Sequence, residues 1–195
     1  MTEFSLILQN IAKHVHLTRE EQDYFCSLLE PRKLRRREFL FLEGDICKYS
    51  SFVNQGCLRG FATDKNGTEH VLSFAPVDWW IGDIYSLVSE KPAILSAQAL
   101  EATEVLMLSR YNQDQLYQNV PKFERFFRII IENSLVANQQ RLIDNMSLTA
   151  EERYLNFCKK YPTLVYCLPQ KHIASYIGVT PEFFSKMRKE SISRQ

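Results

Sequence analysis

The chain has 195 residues, 45% of them hydrophobic, enough for one large or two small globular domains with real cores. A formal net charge of +1 gives no overall basic excess, yet from Ser147 onward eight Lys and Arg face four Asp and Glu, while residues 1–146 hold sixteen and nineteen. Cys26, Cys47, Cys57, Cys158 and Cys167 form no C-x-x-C pair, against a zinc knuckle or disulfide framework, and no apolar stretch approaches ~20 residues and no leader-like segment opens the chain, so a cytoplasmic protein is expected.

Phe4, Ile7, Leu8 and Ile11 repeat at helical spacing, and Thr18 with Glu21 forms a capping box before Tyr24, Phe25, Leu28 and Leu29. Pro31 is expected to end that second helix. The basic run from Arg32 to Arg37 suits a polyanion site or, beside Phe39 to Leu42, a solvated strand edge or sheet mouth. From Leu34 to Ser109 short β-rich runs alternate with turns such as Glu43-Gly44-Asp45, Asn54-Gln55-Gly56 and Asp64-Lys65-Asn66-Gly67, as in a β-sandwich or barrel-like roll. Leu58–Thr63 and Glu69–Phe74 flank the Asn-Gly turn and read as a hairpin. Ile81 to Val88 reads as a helical turn between strands, and Ala99 to Leu108 closes the roll.

A helix without punctuation follows from about Pro121 to Asn145. Phe127, Ile131, Leu135, Asn138, Leu142 and Met146 form one stripe, with Phe123, Phe126, Ile130 and Ala137 beside it. Two stripes fit either two partners, the roll and the same helix of a second chain, or burial within one monomer. Ser147 to Ala150 breaks the helix, and Thr149 with Glu152 caps the next one, which Pro162 stops. Leu164 to Leu168 reads as a short strand.

Gln170 to Lys189, QKHIASYIGVTPEFFSKMRK, has the residues two short helices joined by a tight turn need. Ile173, Ile177, Val179, Phe184 and Met187 supply apolar contacts, and Ala174 is small where helices cross. Gly178 suits a turn with positive φ, Thr180 a cap, and Pro181 a first helical position. Glu182, Ser185, Lys186 and Lys189 then share one polar face, which suits a DNA major groove: Glu182 and Lys186 toward base edges, Ser185, Arg188 and Lys189 toward phosphates. Six residues beyond Lys189 leave no room for a β-hairpin wing. His172 reads as a surface group or phosphate contact. No H-E-x-x-H, P-loop, G-x-S-x-G or G-x-G-x-x-G motif occurs, so an enzyme is not expected.

A roll, a long helix and a helix-turn-helix, in this order, resemble the Crp-Fnr family of bacterial transcription regulators over nearly the whole chain. The resemblance rests on Phe41-Leu42-Glu43-Gly44-Asp45, Val53-Asn54-Gln55-Gly56-Cys57-Leu58-Arg59, Trp80-Ile81-Gly82-Asp83 and the 170–189 motif. It implies an α+β fold: an N-terminal double-stranded β-helix (jelly-roll, cyclic-nucleotide-binding-like) sensor over 1–120, a dimerisation helix over 121–146, and a wingless helix-turn-helix domain over 147–195. It places Glu182 and Lys186 at bases and Ser185 at phosphate, within a DNA-binding set completed by Thr180, Arg188 and Lys189. Lys186 and Pro181 stand where the family more often has arginine, so a different half-site is expected.

The same resemblance implies an effector pocket at Gly82, Asp83, Lys91, Ile94 and Leu95. The family's cyclic-nucleotide binders follow a Gly-Glu pair with a phosphate-binding arginine, whereas no arginine lies between Arg59 and Arg110. Cyclic AMP is therefore not the expected effector. Ile94, Leu95, Trp79 and Trp80 point to an apolar ligand or to a pocket that has lost its ligand, although a Trp-Trp pair also reads as core. No cysteine cluster suggests an iron-sulfur centre, no histidine has the context of a haem ligand, and no cofactor or metal is expected. The implied partners are double-stranded DNA, a second copy of the chain, RNA polymerase and an unidentified small molecule, with no membrane. The competing expectation is a signalling adaptor of the same fold that contacts a protein.

Overall fold

A computed structural model describes residues 4–193. Helices α1 (Ser5–Ala12) and α2 (Arg19–Ser27) open the chain, and the Thr18–Glu21 capping box forms as the sequence predicts. Helix α2 stops before Pro31, which lies inside strand β1 (Leu29–Leu34) opposite Leu106. β1 is an edge strand, where a residue without an N–H costs no ladder bond when that side faces outward. The chain continues through β2 (Phe39–Phe41), β3 (Tyr49–Gln55), β4 (Cys57–Thr63), β5 (Glu69–Pro76) and β6 (Trp80–Ile81). Helix α3 (Ile84–Ser89), β7 (Ser96–Ala99) and β8 (Thr103–Ser109) complete this part.

The strands form two four-stranded sheets, ordered β1-β8-β3-β6 and β2-β7-β4-β5, which is the expected roll. Asp64 fixes the tip of the β4–β5 hairpin by accepting from the Asn66 and Thr68 N–H groups at 2.8 and 2.9 Å, with Gly67 at φ 80°. The basic run serves local structure: Arg32 donates to the carbonyls of Phe39 and Leu40 at 3.0 and 3.1 Å, and Arg37 adopts a positive φ in a turn.

Helix α4 (Arg110–Asn119), absent from the sequence expectation, precedes the long helix α5 (Lys122–Ser147). α4 buries only Gln113 and Leu116, too little apolar periodicity to announce itself. Phe123, Phe126 and Phe127 of α5 join Ile7, Ile11, Phe25, Phe52 and Leu106 in one core. Trp80 belongs beside that core, its ring 5.2 Å from Phe127 and 5.5 Å from Phe52, while Trp79 is more exposed. Beyond Phe127 the α5 stripe turns outward: Ile131, Leu135, Leu142 and Met146 are all exposed.

Helix α6 (Ala150–Lys160) starts on the Thr149–Glu152 capping box. The expected strand at Leu164–Leu168 is instead the short helix α7 (Leu164–Cys167), in which Leu164 alone is buried. A lone strand there would leave its backbone groups without a ladder, whereas one helical turn satisfies some of them internally. Helices α8 (Gln170–Tyr176) and α9 (Pro181–Ser193) form the expected pair.

The chain divides into two compact units, Met1–Ala62 with Ser73–Asn133, and Thr63–Leu72 with Ser134–Gln195. The distal β4–β5 hairpin thus belongs to the unit that holds the helix pair. Among the described residues no helix is long and apolar enough to cross a membrane, and no group of three or more His, Cys, Asp or Glu could hold a metal ion.

Candidate nucleic-acid interface and effector region

The turn between α8 and α9 is built by its sequence. Gly178 has φ 74°, the Val179 N–H donates back to Ala174 at 3.0 Å, and the Gly178 N–H to Ser175 at 3.2 Å, a Schellman closure that needs a left-handed residue. Thr180 then caps α9, accepting from the Phe183 N–H at 3.2 Å, and Pro181 occupies the first turn. Ile173, Ala174, Ile177, Phe184 and Met187 are buried, with the Phe184 ring edge-on to Tyr154 at 5.1 Å. Phe157, Tyr161 and Tyr176 add an aromatic cluster with centroids 5.3 to 5.8 Å apart. The motif is therefore a rigid platform.

On the opposite side of α9, Glu182, Lys186 and Lys189 are exposed and Ser185 is half-buried, all on one face. Lys186 stays 78% exposed beside Glu190, at 3.9 Å. Arg188 is half-buried, its guanidinium 5.9 Å over the Phe184 ring and away from that stripe. His172, expected at the surface, is buried. It lies among the buried residues of α8 with Ile173, Ala174 and Tyr176.

Three supporting groups gave no sequence signal, because each has a backbone partner far along the chain. Arg141 of α5 donates to the carbonyls of Leu72, Val71 and Tyr176, the last two at 2.9 and 3.1 Å, and stacks 4.3 Å over the Tyr176 ring. Burial pulls its guanidinium below its ordinary pKa range. Ser175 accepts from the Val71 N–H and donates to the Glu69 carbonyl, both at 2.9 Å. Arg153 donates to Leu148 at 2.6 Å and Ile177 at 2.7 Å, joining the start of α6 to the end of α8.

In the other unit, the region expected to hold an effector is closed on itself. Asp83 is 1% exposed. One carboxylate oxygen caps α3 by accepting from the Ser86 N–H at 2.9 Å, and the other accepts from Ile94 and Leu95 N–H groups at 2.8 and 3.0 Å. Ser86 donates to the Lys91 carbonyl at 2.6 Å and accepts from the Cys47 N–H at 2.9 Å. Lys91 and Ile94 are exposed, Leu95 and Gly82 half-buried. Arg59 is buried elsewhere in the roll, bonded to Gln98 at 2.7 and 3.1 Å and stacked 4.1 Å over Phe61.

Fold and motif together define a cyclic-nucleotide-binding-like roll followed by a helix-turn-helix. Residues 31–120 match the cyclic nucleotide-binding domain model. The chain is 28% identical over 142 residues to the transcriptional activator protein anr of Pseudomonas aeruginosa, covering 72% of this chain and 57% of that protein. It therefore spans less than two thirds of that relative's length. Among solved structures, FixK2 from Bradyrhizobium japonicum superposes with a TM-score of 0.75 at 17% identity, covering 85% of each chain. The c-di-GMP responsive global regulator CLP of Xanthomonas campestris gives 0.74 at 14%, over 91% of this chain and 93% of that one. The chain thus carries a cyclic nucleotide-binding domain over residues 31–120 and is similar to transcription regulators of the Crp-Fnr type.

Proposed function

We propose that this chain is a DNA-binding transcription regulator that grips a two-fold symmetric site as a homodimer. The observation that carries the reading is the exposed polar face of α9, with Glu182, Ser185, Lys186 and Lys189 standing opposite the buried Phe184 and Met187. Glu182 and Lys186 address base edges, while Thr180, Ser185, Arg188 and Lys189 hold phosphates. The relatives named as activators support a regulator rather than an enzyme.

Pairing is assigned to α5. Ile131, Leu135, Asn138 and Leu142 recur at spacings of four, three and four, the pattern of a coiled-coil seam, and their large apolar members are exposed to water. Asn138 within that seam lowers stability but fixes register. Two such helices side by side bring two recognition helices to half-sites about 34 Å apart. On this reading 1–120 is the sensor, 121–146 the pairing helix and 147–195 the DNA-reading domain. RNA polymerase is the further partner that the relatives named as activators suggest.

Cyclic AMP is not the effector. The Asp83 carboxylate is consumed by three backbone N–H groups, and the 83–95 loop offers an exposed Lys91 but no arginine to a phosphate. Titration calorimetry should give no cyclic-AMP binding, and a tight complex would reverse this part of the reading.

The deciding experiment is selection of duplexes from a random pool at fixed salt with the purified chain. An enriched palindrome bound with steep salt dependence is expected, because a DNA reader releases condensed counterions. Salt-insensitive capture, with no enriched sequence, would point instead to an adaptor that contacts protein.

A further inference from the structure

Helix α9 carries two adjacent phenylalanines with opposite fates. Phe184 is fully buried against Tyr154, as the core of the helix pair demands, whereas Phe183 is 53% exposed. Nothing in the packing of this unit accounts for an aromatic ring left in water at that position. Its place does. Phe183 lies in the first turn of α9, beside Glu182 and one turn before Lys186, and its N–H is pinned by the Thr180 hydroxyl.

The first turn of a recognition helix is the part that meets base edges. Glu182 and Lys186 can exchange hydrogen bonds there, but a phenyl ring cannot. The apolar feature that bases present in the major groove is the thymine 5-methyl group. The neighbours one turn on are the charged Lys186 and the buried Met187, so the ring has no exposed apolar companion in the next turn of its own helix. We propose that Phe183 packs on a thymine methyl in each half-site and so fixes thymine at the step beside those read by Glu182 and Lys186.

This inference rests on the DNA-reading function, and one experiment separates the two. Starting from the site selected by the wild-type chain, each thymine is replaced in turn by deoxyuridine, which keeps every hydrogen bond and removes only the methyl group. Binding at fixed salt is then measured for the wild type, Phe183→Ala and Phe183→Leu. One deoxyuridine position should weaken the wild type about fourfold in a single half-site and at least about tenfold in both, the effect of one buried methyl. Phe183→Ala should be indifferent to that replacement, and its own selected site should lose the thymine. Phe183→Leu should keep part of the preference. The inference fails if no deoxyuridine weakens the wild type by more than about twofold, or if Phe183→Ala suffers the same penalty. If the wild type selects no sequence at all, the DNA-reading function fails and this inference with it. Because the ring is exposed, unchanged circular dichroism should accompany both variants.

Discussion

The loop from Gly82 to Leu95 and helix α9 treat their polar groups in opposite ways. Asp83 turns inward and spends both carboxylate oxygens on backbone N–H groups, which closes the loop on itself. On α9 the charges of Glu182, Lys186 and Lys189 turn outward, opposite the buried Phe184 and Met187. A satisfied buried carboxylate is structural, while a rigid element that displays charge to water has a surface shaped for something else.

That contrast can be broken most sharply by truncating what points inward. Phe184→Ala should destabilise the second unit by about 3 to 5 kcal/mol in a urea titration, and Phe183→Ala by less than about 0.5 kcal/mol, because only the first ring is buried. Next comes Asp83→Ala, expected to cost on the order of 3 kcal/mol by orphaning three N–H groups. A loss below about 1 kcal/mol would mean that the carboxylate does not hold the loop.

Outward groups should affect binding and spare stability. Lys186→Ala should weaken the selected site by about 1 to 3 kcal/mol and relax its sequence at one base pair, whereas Lys189→Ala should weaken all duplexes alike and reduce the salt slope by about 1. The smallest effect concerns Glu152. Hydrogen bonds from the Thr149 backbone and hydroxyl hold its carboxyl below the ordinary 4.5, so its contribution is complete above that pH and lost as pH falls through the lower folded value. Melting temperatures of wild type and Glu152→Gln should therefore differ at neutral pH and converge below pH ~4.5.

Local chemistry made much of this legible from residues alone. Thr18 with Glu21, Thr149 with Glu152, and the Gly178-Val179-Thr180-Pro181 turn each state their structure within four residues, and the Asn66-Gly67 turn announces its hairpin. Where the reading failed, the deciding partner was distant or the local signal was weak. Pro31 looked like a helix stop because its edge position depends on β8, some seventy residues on. Helix α7 has too few residues for a period to show, and His172 lies inside because of packing that no local pattern encodes. The same holds for Asp83: its identity was visible, but not that Ile94 and Leu95 would occupy its oxygens.

The clamp on the β4–β5 hairpin sets a schedule for the nascent chain. Residues 63–72 leave the ribosome long before Arg141, which follows Val71 by 70 residues, and Ser175, which follows it by 104. Until both emerge, the hairpin tip has neither the guanidinium for its carbonyls nor the hydroxyl for its amide. The unit that holds the helix pair is thus completed on a foothold laid down 70 and 104 residues earlier, and a chain stopped before Ser175 would lack the hydroxyl that meets the Val71 N–H and the Glu69 carbonyl.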